Sequence, residues 1–393
     1  MNYDEAINYL WDIGYFGIKL GLENIEDLLG KLDNPHDGMK FIHIAGTNGK
    51  GSVAAMMSAV LKQKYKVGLF TSPHLEKFNE RIKINDIPIS DDNIARLTEM
   101  IKPLRGTNTF FETVTAMAFK YFKEQECDFV ILEVGMGGRL DATNIVKPIV
   151  SIITNINIEH TKHLGYRIKD IAGEKAGIIK DNVPVVTSSE REALDVIKGL
   201  CDEKHCDLII ANPVTHKAVD CNLKGEFQEA NMGCALEALK IVNHVSEEQI
   251  IEGMKNVVWP GRFEKHGKIV MDCAHNPSAM LAIRKEIRKL PYKRLIVVFA
   301  MMEDKDIERA VKIIYPITDK FIITKPQIKR AAEPEVIAEG LSEYTVIRDC
   351  AKALEKAKEL ANDDDLILVC GSIYLVGEVR KYIVNKDEVK TGR

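Results

Sequence analysis

Between Phe41 and Met57 the chain reads FIHIAGTNGKGSVAAMM. Inside that stretch, Gly46-Thr47-Asn48-Gly49-Lys50-Gly51-Ser52 places three glycines, a lysine and a hydroxyl after an apolar run. Glycines let a backbone curl until several N–H groups face one point, which suits an anion. A lysine there neutralises phosphate charge, and a hydroxyl can ligate magnesium. The spacing departs from the usual phosphate loop, since Ile44 stands where its first glycine is required and Gly51 delays the hydroxyl to Ser52. Two readings fit: a phosphate loop lengthened by one residue, or a glycine-rich strand-to-helix turn.

Further candidates lie downstream. ILEVGMGGRLDATN (131–144) ends an apolar run on Glu133 and then turns through glycines. A carboxylate at the carboxyl end of a parallel strand faces the ligand crevice and would meet a cation held by Ser52; equally, it could cap the next turn. SIITNINIEHTKHLG (151–165) sets His160 just past another apolar run, and IAGEKAGIIK (171–180) sets Lys175 on a short helix. A lone histidine is usually a satisfied core or surface group, and a helical lysine usually sits on a solvated face.

These residues need elements to hold them. Strands are expected at 40–45, 66–70, 128–134 and 149–154, with helices at 50–63, 113–125 and 227–245. Short strands alternating with helices imply right-handed crossovers and a mainly parallel sheet. NVVWPGRFEKHGK (256–268) then interrupts the pattern with Pro-Gly. The alternation restarts with strands at 268–273, 294–300, 320–324, 344–347 and 365–371 and a helix at 351–363. The expected organisation is α/β: a P-loop-type, mainly parallel domain over 1–258, a linker at 259–267, and a smaller Rossmann-like α/β domain over 268–393.

Bulk properties narrow the class. The 393 residues are 46% hydrophobic and 28% charged, with a net charge of −4, which points to no nucleic-acid partner. The eight cysteines form no C-x-x-C pair, so zinc is not indicated. The N-terminus is acidic and periodic rather than a signal peptide, and no apolar run is long enough to span a membrane. A cytoplasmic monomer is expected.

Taken together, HIAGTNGKGS, TSPHLEKFNERI, FFETVTAMAF, LEVGMGGRLDATN, ITNINIEH, IAGEKAGIIK, GEFQEANMGCAL, WPGRFE, DCAHNP, EDKD and CGSIYLVGEV resemble, in order, the folylpolyglutamate synthase/dihydrofolate synthase family of the Mur-ligase superfamily. The resemblance runs from about residue 17 to 380. It implies an ATP-dependent ligase that adds L-glutamate to a folate-type carboxylate through an acyl phosphate. Asn48, Gly49, Lys50, Gly51 and Ser52 then resemble the ATP phosphate loop, with Asn231 an adenine contact. Ser52, Ser72, Glu133 and His160 resemble ligands of Mg²⁺, of which the family uses two ions. Lys175 falls where the family has a lysine carbamylated by CO₂. Arg262 resembles the arginine that reaches ATP from the domain junction, and closure would couple it to chemistry. Asp272 and His275 resemble second-domain groups near the nucleotide and the reacting centre, although Pro277 alone would also explain DCAHNP as a helix start. The catalytic set implied is Lys50, Lys175 and His275.

On the folate side the resemblance points to Leu20, Gly21, Leu22, Phe111, Glu112, Leu140, Asp141 and Ala142. Phe110, Phe111 and Phe78 could stack a flat pterin or belong to the core. The chain departs from the family at Cys273, where glycine is commoner, and at Glu159, where aspartate is commoner. Its modest length leaves open whether one or both glutamylation activities are present. A related ligase acting on a non-folate carboxylate is the alternative, and SPHL…NERI with GGRLDATN favours folate. A GTPase should carry Asn-Lys-x-Asp, which the sequence lacks.

Overall fold

The computed structural model of the chain describes residues 1–14, 21–242 and 245–391, with side chains as far as residue 384. The fold is mixed α/β and divides into two units: 1–222 with 228–258, and 223–227 with 259–393. Residues 259–267, expected as a linker, belong to the second unit and contain a strand.

The first unit is built on an eight-stranded sheet. Its strands are β1 (Phe41–Ala45), β2 (Val67–Phe70), β3 (Ile82–Ile84), β4 (Ile87–Pro88), β5 (Phe129–Glu133), β6 (Val150–Ile153), β7 (Val185–Thr187) and β8 (Leu208–Ile210). They lie in the order β4-β3-β2-β5-β1-β6-β7-β8. All neighbours from β2 to β8 are parallel; β3 and β4 add an antiparallel hairpin at one edge. Asn85 and Asp86 turn that hairpin at φ 47° and 69°, a left-handed pair that short polar residues tolerate. FIHIA and FVILE are buried at every position, because helices cover both faces of a parallel sheet and alternation is lost.

One face carries α1 (Tyr3–Gly14), α2 (Glu23–Gly30), α4 (Asp91–Ile101) and α5 (Phe110–Glu124), whereas α3 (Lys50–Leu61) leads from β1 to β2. The core under the first group includes Leu10, Ile25, Leu28, Phe70, Phe119 and Phe122. Each such side chain contributes about 1.5–3 kcal/mol by burial. Thr109 and Glu112 open α5 as a reciprocal capping box. Further along the same face, α6 (Thr161–Leu164), α7 (Ile168–Ala176) and α8 (Arg191–Glu203) cover a core of Ile153, Ile171, Val185 and Ile197. The helices α9 (Phe227–Val242) and α10 (Glu247–Asn256) follow, and Gly253 of α10 lets it approach Val60 on α3.

The second unit has β9 (Glu264–His266), β10 (Ile269–Met271), β11 (Leu295–Phe299), β12 (Lys320–Ile323), β13 (Thr345–Val346) and β14 (Leu366–Cys370). Their order is β13-β12-β11-β14-β10-β9, parallel except for β9 at the edge. The helices are α11 (Pro277–Ile287), α12 (Ile307–Ile314), α13 (Pro334–Ile337), α14 (Cys350–Leu360) and α15 (Ile373–Thr391). Val297, Phe299, Ile314, Phe321 and Leu368 form its core. All eight cysteines are thiols, with no disulfide among them.

Candidate active site

In the first unit the carboxyl ends of β2, β5, β1 and β6 lie side by side. Each passes into a loop carrying residues singled out above: Ser72, Glu133, 46–52 and His160. The crevice outside such ends is where parallel α/β sheets bind ligands.

The loop after β1 is held from several directions. Gly46 and Gly49 adopt φ 142° and 92°, conformations that side chains resist. The loop after β6 clamps it: Thr47 N–H donates to the Asn155 carbonyl at 2.8 Å, and Asn48 N–H to Asn155 Oδ1 at 3.1 Å. Asn157 N–H donates to Thr47 Oγ1 at 3.0 Å, and Thr154 Oγ1 donates to the Asn48 carbonyl at 2.8 Å. Lys50, the first residue of α3, folds its ammonium back onto the Gly46 and Thr47 carbonyls at 3.1 and 3.2 Å. Gly51 and Ser52 are buried in the first turn of α3, a helix end that favours anions. The Ser52 hydroxyl accepts from Gln228 Nε2 at 3.3 Å, and Gln228 Oε1 accepts from Asn231 Nδ2 at 2.8 Å. Asn231 therefore lies buried against Gly49 at the loop itself.

Neighbouring strands bring Ser72 and Glu133 together: Ser72 N–H donates to Glu133 Oε2 at 3.0 Å, and the carboxylate is buried. His160 opens α6 in a left-handed conformation, φ 51°, with Nε2 4.0 Å from Glu159 Oε1. Among the described residues no group of three or more His, Cys, Asp or Glu side chains is arranged to hold a metal. The expected ligand set contains only two such residues, and serine oxygens complete it. Hard oxygen donors at Ser52, Ser72 and Glu133 fit a hard cation; the His160 nitrogen is the less usual member.

Lys175 is not on a solvated helix face. It is 3% exposed and donates to the Gly46 carbonyl at 2.9 Å, so two lysines share that oxygen. Glycines explain how it reaches there. A Cβ on Gly138 would lie 2.7 Å from the Lys175 carbonyl, so only glycine lets the GGRLDATN loop press against α7. Arg139 N–H then donates to the Glu174 carbonyl at 2.8 Å.

Of the folate-side candidates, Leu20 lies outside the described residues. Gly21 and Leu22 immediately precede α2, Leu22 as its cap. Phe111 packs its ring on Gly135, where a Cβ would come within 2.6 Å, and 5.8 Å from Phe70. Glu112 is buried and its Oε2 accepts from Thr109 N–H and Oγ1 at 2.6 and 2.8 Å. Leu140 is half-buried, and Asp141 and Ala142 are buried at the start of a 3₁₀ turn. Burial raises the Asp141 pKa above the ordinary carboxylate value, opposed by hydrogen bonds from Thr143 and Met136. Phe111, Gly135 and the 140–142 segment thus form one neighbourhood. Phe78 belongs to the core, 4% exposed, and Phe110 stacks on Trp11 at 5.1 Å.

The second unit gathers its candidates at the carboxyl end of β10. Asp272 is buried and accepts from Phe263 N–H and Ala274 N–H, both at 2.8 Å. Burial raises its pKa, and the nearby Arg262 guanidinium opposes that shift. Glu264 fixes the turn bearing Arg262 by accepting from Gly261 N–H at 2.7 Å and Arg380 Nε at 3.0 Å. His275 Nδ1 lies 2.8 Å from the Cys273 carbonyl, which sets the proton on Nδ1. Asn276 caps α11 and Pro277 opens it. The helix-start reading of DCAHNP is therefore correct as structure, and it holds Asp272 and His275 beside Arg262.

Sequence reasoning singled out none of Thr154, Asn155, Asn157 and Gln228, which shape the loop. The Asn-x-Asn after an expected strand was the available signal.

Two family descriptions match the chain: the Mur ligase middle domain over 44–252, and the Mur ligase glutamate ligase domain over 261–373. The dihydrofolate synthase/folylpolyglutamate synthase of Bacillus subtilis is 32% identical, covering 96% of this chain and 98% of its own. A probable bifunctional folylpolyglutamate synthase/dihydropteroate synthase of Haloferax volcanii is 35% identical over 97% of this chain but 50% of its own. The chain thus spans about half the length of that relative. A crystal structure of bifunctional folylpolyglutamate synthase/dihydrofolate synthase with Mn, AMPPNP and L-glutamate bound superposes with a TM-score of 0.89 at 29% identity, covering 98% of both chains. With two domain matches in order and full-length relatives above 30% identity, the chain belongs to the folylpolyglutamate synthase/dihydrofolate synthase family of Mur ligases.

Proposed function

We propose that the protein joins L-glutamate to a folate-type carboxylate at the expense of ATP. The observation that carries this reading is the row of carboxyl ends of β2, β5, β1 and β6, which brings a glycine-rich loop, Lys50, Ser52, Ser72 and Glu133 to the same end of the sheet. The substrate carboxylate oxygen attacks the γ-phosphorus; its bond to the β–γ bridging oxygen breaks and ADP leaves. The glutamate amine then adds to the acyl carbon, loses a proton, and expels inorganic phosphate as the amide forms.

Phosphoryl transfer of this kind depends on positioning and charge neutralisation. The loop from Asn48 to Ser52 cradles phosphates, and Lys50 swings from backbone carbonyls to the transferring group. Ser52, Ser72, Glu133 and His160 are the residues that would hold Mg²⁺, which supplies charge neutralisation at the phosphates. Asn231 orders the loop beside the nucleotide. In the second unit, Arg262, Asp272 and His275 would serve the same reaction, Arg262 by supplying a guanidinium for phosphoryl charge. Lys175 in carbamate form would exchange a donor facing the Gly46 carbonyl for an acceptor, so that loop contact must rearrange on modification. Gly21, Leu22, Phe111, Glu112, Leu140, Asp141 and Ala142 line the folate side. Eight cysteines kept as thiols fit a reducing compartment, the cytoplasm. Among the described residues no helix is long and apolar enough to cross a membrane.

The test offers dihydropteroate and tetrahydrofolate separately with ATP, Mg²⁺ and glutamate, and scores product by mass. Glutamylation of either supports the reading, and which one reacts assigns the activity. Glutamate-dependent ATP consumption with neither would exclude folates as substrates.

A further inference from the structure

His43 stands in the middle of β1, fully buried, in a strand otherwise made of Phe41, Ile42, Ile44 and Ala45. Burial holds its ring neutral, with a pKa lowered to about 3; the nearby Lys180 acts in the same direction. An imidazole costs more to bury than the apolar residue such a position normally takes. Its contacts show what the extra polarity does.

His43 Nε2 lies 2.8 Å from Thr143 Oγ1, and Thr143 Oγ1 lies 2.6 Å from Asp141 Oδ1. Asp141 Oδ1 also accepts from Thr143 N–H at 3.0 Å, and Oδ2 from Met136 N–H at 2.9 Å. Three donors converge on that side chain and favour its carboxylate form, against the burial that raises its pKa. Thr143 has one hydroxyl proton and spends it on Asp141. The proton between His43 and Thr143 must therefore sit on Nε2, with His43 donating. Nδ1 is left as a bare acceptor, buried and with no hydrogen-bond partner among the described residues. The position thus tolerates an unsatisfied nitrogen to keep one donor pointing at Thr143. Lys180 Nζ anchors the same loop by donating to the Asn144 carbonyl at 2.8 Å.

We infer that His43 is a positioning residue for the folate-type substrate. From the central strand it orients the Thr143 hydroxyl onto Asp141 and thereby fixes the 136–145 loop. This rests on the folate-side reading of Asp141 and its neighbours. The strand that leads into the phosphate loop also holds the acceptor-side loop, so one element aligns both reactants.

The test compares His43→Leu, which keeps volume and removes the donor, with His43→Gln, whose amide nitrogen reaches where Nε2 was. His43→Asn, too short to reach Thr143, stands in if the leucine variant does not fold. Losing one hydrogen bond predicts a rise of about ten-fold in KM for dihydropteroate or tetrahydrofolate, with KM for ATP within about two-fold. Backbone amides of 136–145 should exchange with solvent about ten-fold faster in the leucine or asparagine variant. The glutamine variant should match wild type in both readouts. Unchanged substrate KM and exchange in the leucine variant would overturn the inference, as would a glutamine variant as impaired as leucine. If wild-type protein glutamylates neither folate, the functional reading fails, and the exchange comparison still decides whether His43 fixes the loop.

Discussion

Gly46→Ala tests the geometry of the loop most sharply. Gly46 has φ 142°, and a side chain forced into a sparsely populated region costs about 1–3 kcal/mol. The added Cβ would also fall far inside van der Waals contact of Thr154 Oγ1 and 3.1 Å from the Thr154 backbone nitrogen. Moving that hydroxyl breaks its 2.8 Å bond to the Asn48 carbonyl, worth about 1 kcal/mol. The bound, native loop should therefore lose about 2–4 kcal/mol, or about 30- to 700-fold. The loss divides between folding and binding. If the loop keeps its shape the protein unfolds more easily; if it relaxes, nucleotide affinity falls. The predicted quantity is the sum of the two, read from urea unfolding and from calorimetric Kd for AMPPNP. Thr154→Ala should remove part of the clash, so the double mutant should cost at least about 1 kcal/mol less than the two single changes added together. A total below about 0.5 kcal/mol, typical of an indifferent surface change, or an additive cycle would show that the loop does not depend on the backbone freedom of Gly46.

Lys50→Ala and Glu133→Ala should each abolish product-coupled ATP hydrolysis while leaving the circular dichroism spectrum unchanged; full turnover in either would remove it from the site. Arg262→Ala should slow kcat by about 10²- to 10³-fold, the size of one lost transition-state charge contact, and an unchanged kcat would remove that role. Acid should destabilise the fold through His43, whose native pKa of about 3 lies below its unfolded value of 6.5. The stability is present above the unfolded value and drains as pH falls through the window between the two. From pH 7.5 to 5.5 the loss from this one group is about 1.4 kcal/mol, which His43→Gln should remove from the difference in unfolding free energy. A glutamine variant with the same pH slope as wild type would show that His43 does not titrate this way.

The sequence made the central strands legible because FIHIA, FVILE, LIVVF and LILVC are buried on both faces and read as unbroken apolar runs. Thr345–Val346, the exposed edge of the second sheet, was found shorter than expected, since an edge strand pairs on one side only. The placement of Lys50 and Ser52 at a helix start and of Glu133 at a strand end was legible from the pattern. The environment of a side chain was not. Lys175 looks solvated in a one-dimensional pattern and is buried, because Gly138, far along the chain, lets a loop close over its helix. Phe78 was open between pocket and core, and it is buried in the cluster with Phe70, Ile82 and Val114. The Asn155 and Asn157 clamp depends on β6 lying beside β1, a pairing that no local signal encodes.

The central claim is that this crevice activates a carboxylate as an acyl phosphate. The most direct measurement uses the folate-type substrate labelled with ¹⁸O in its reacting carboxylate. An acyl-phosphate route puts one labelled oxygen in the phosphate released for every amide formed. Amide product accompanied by unlabelled phosphate would contradict it.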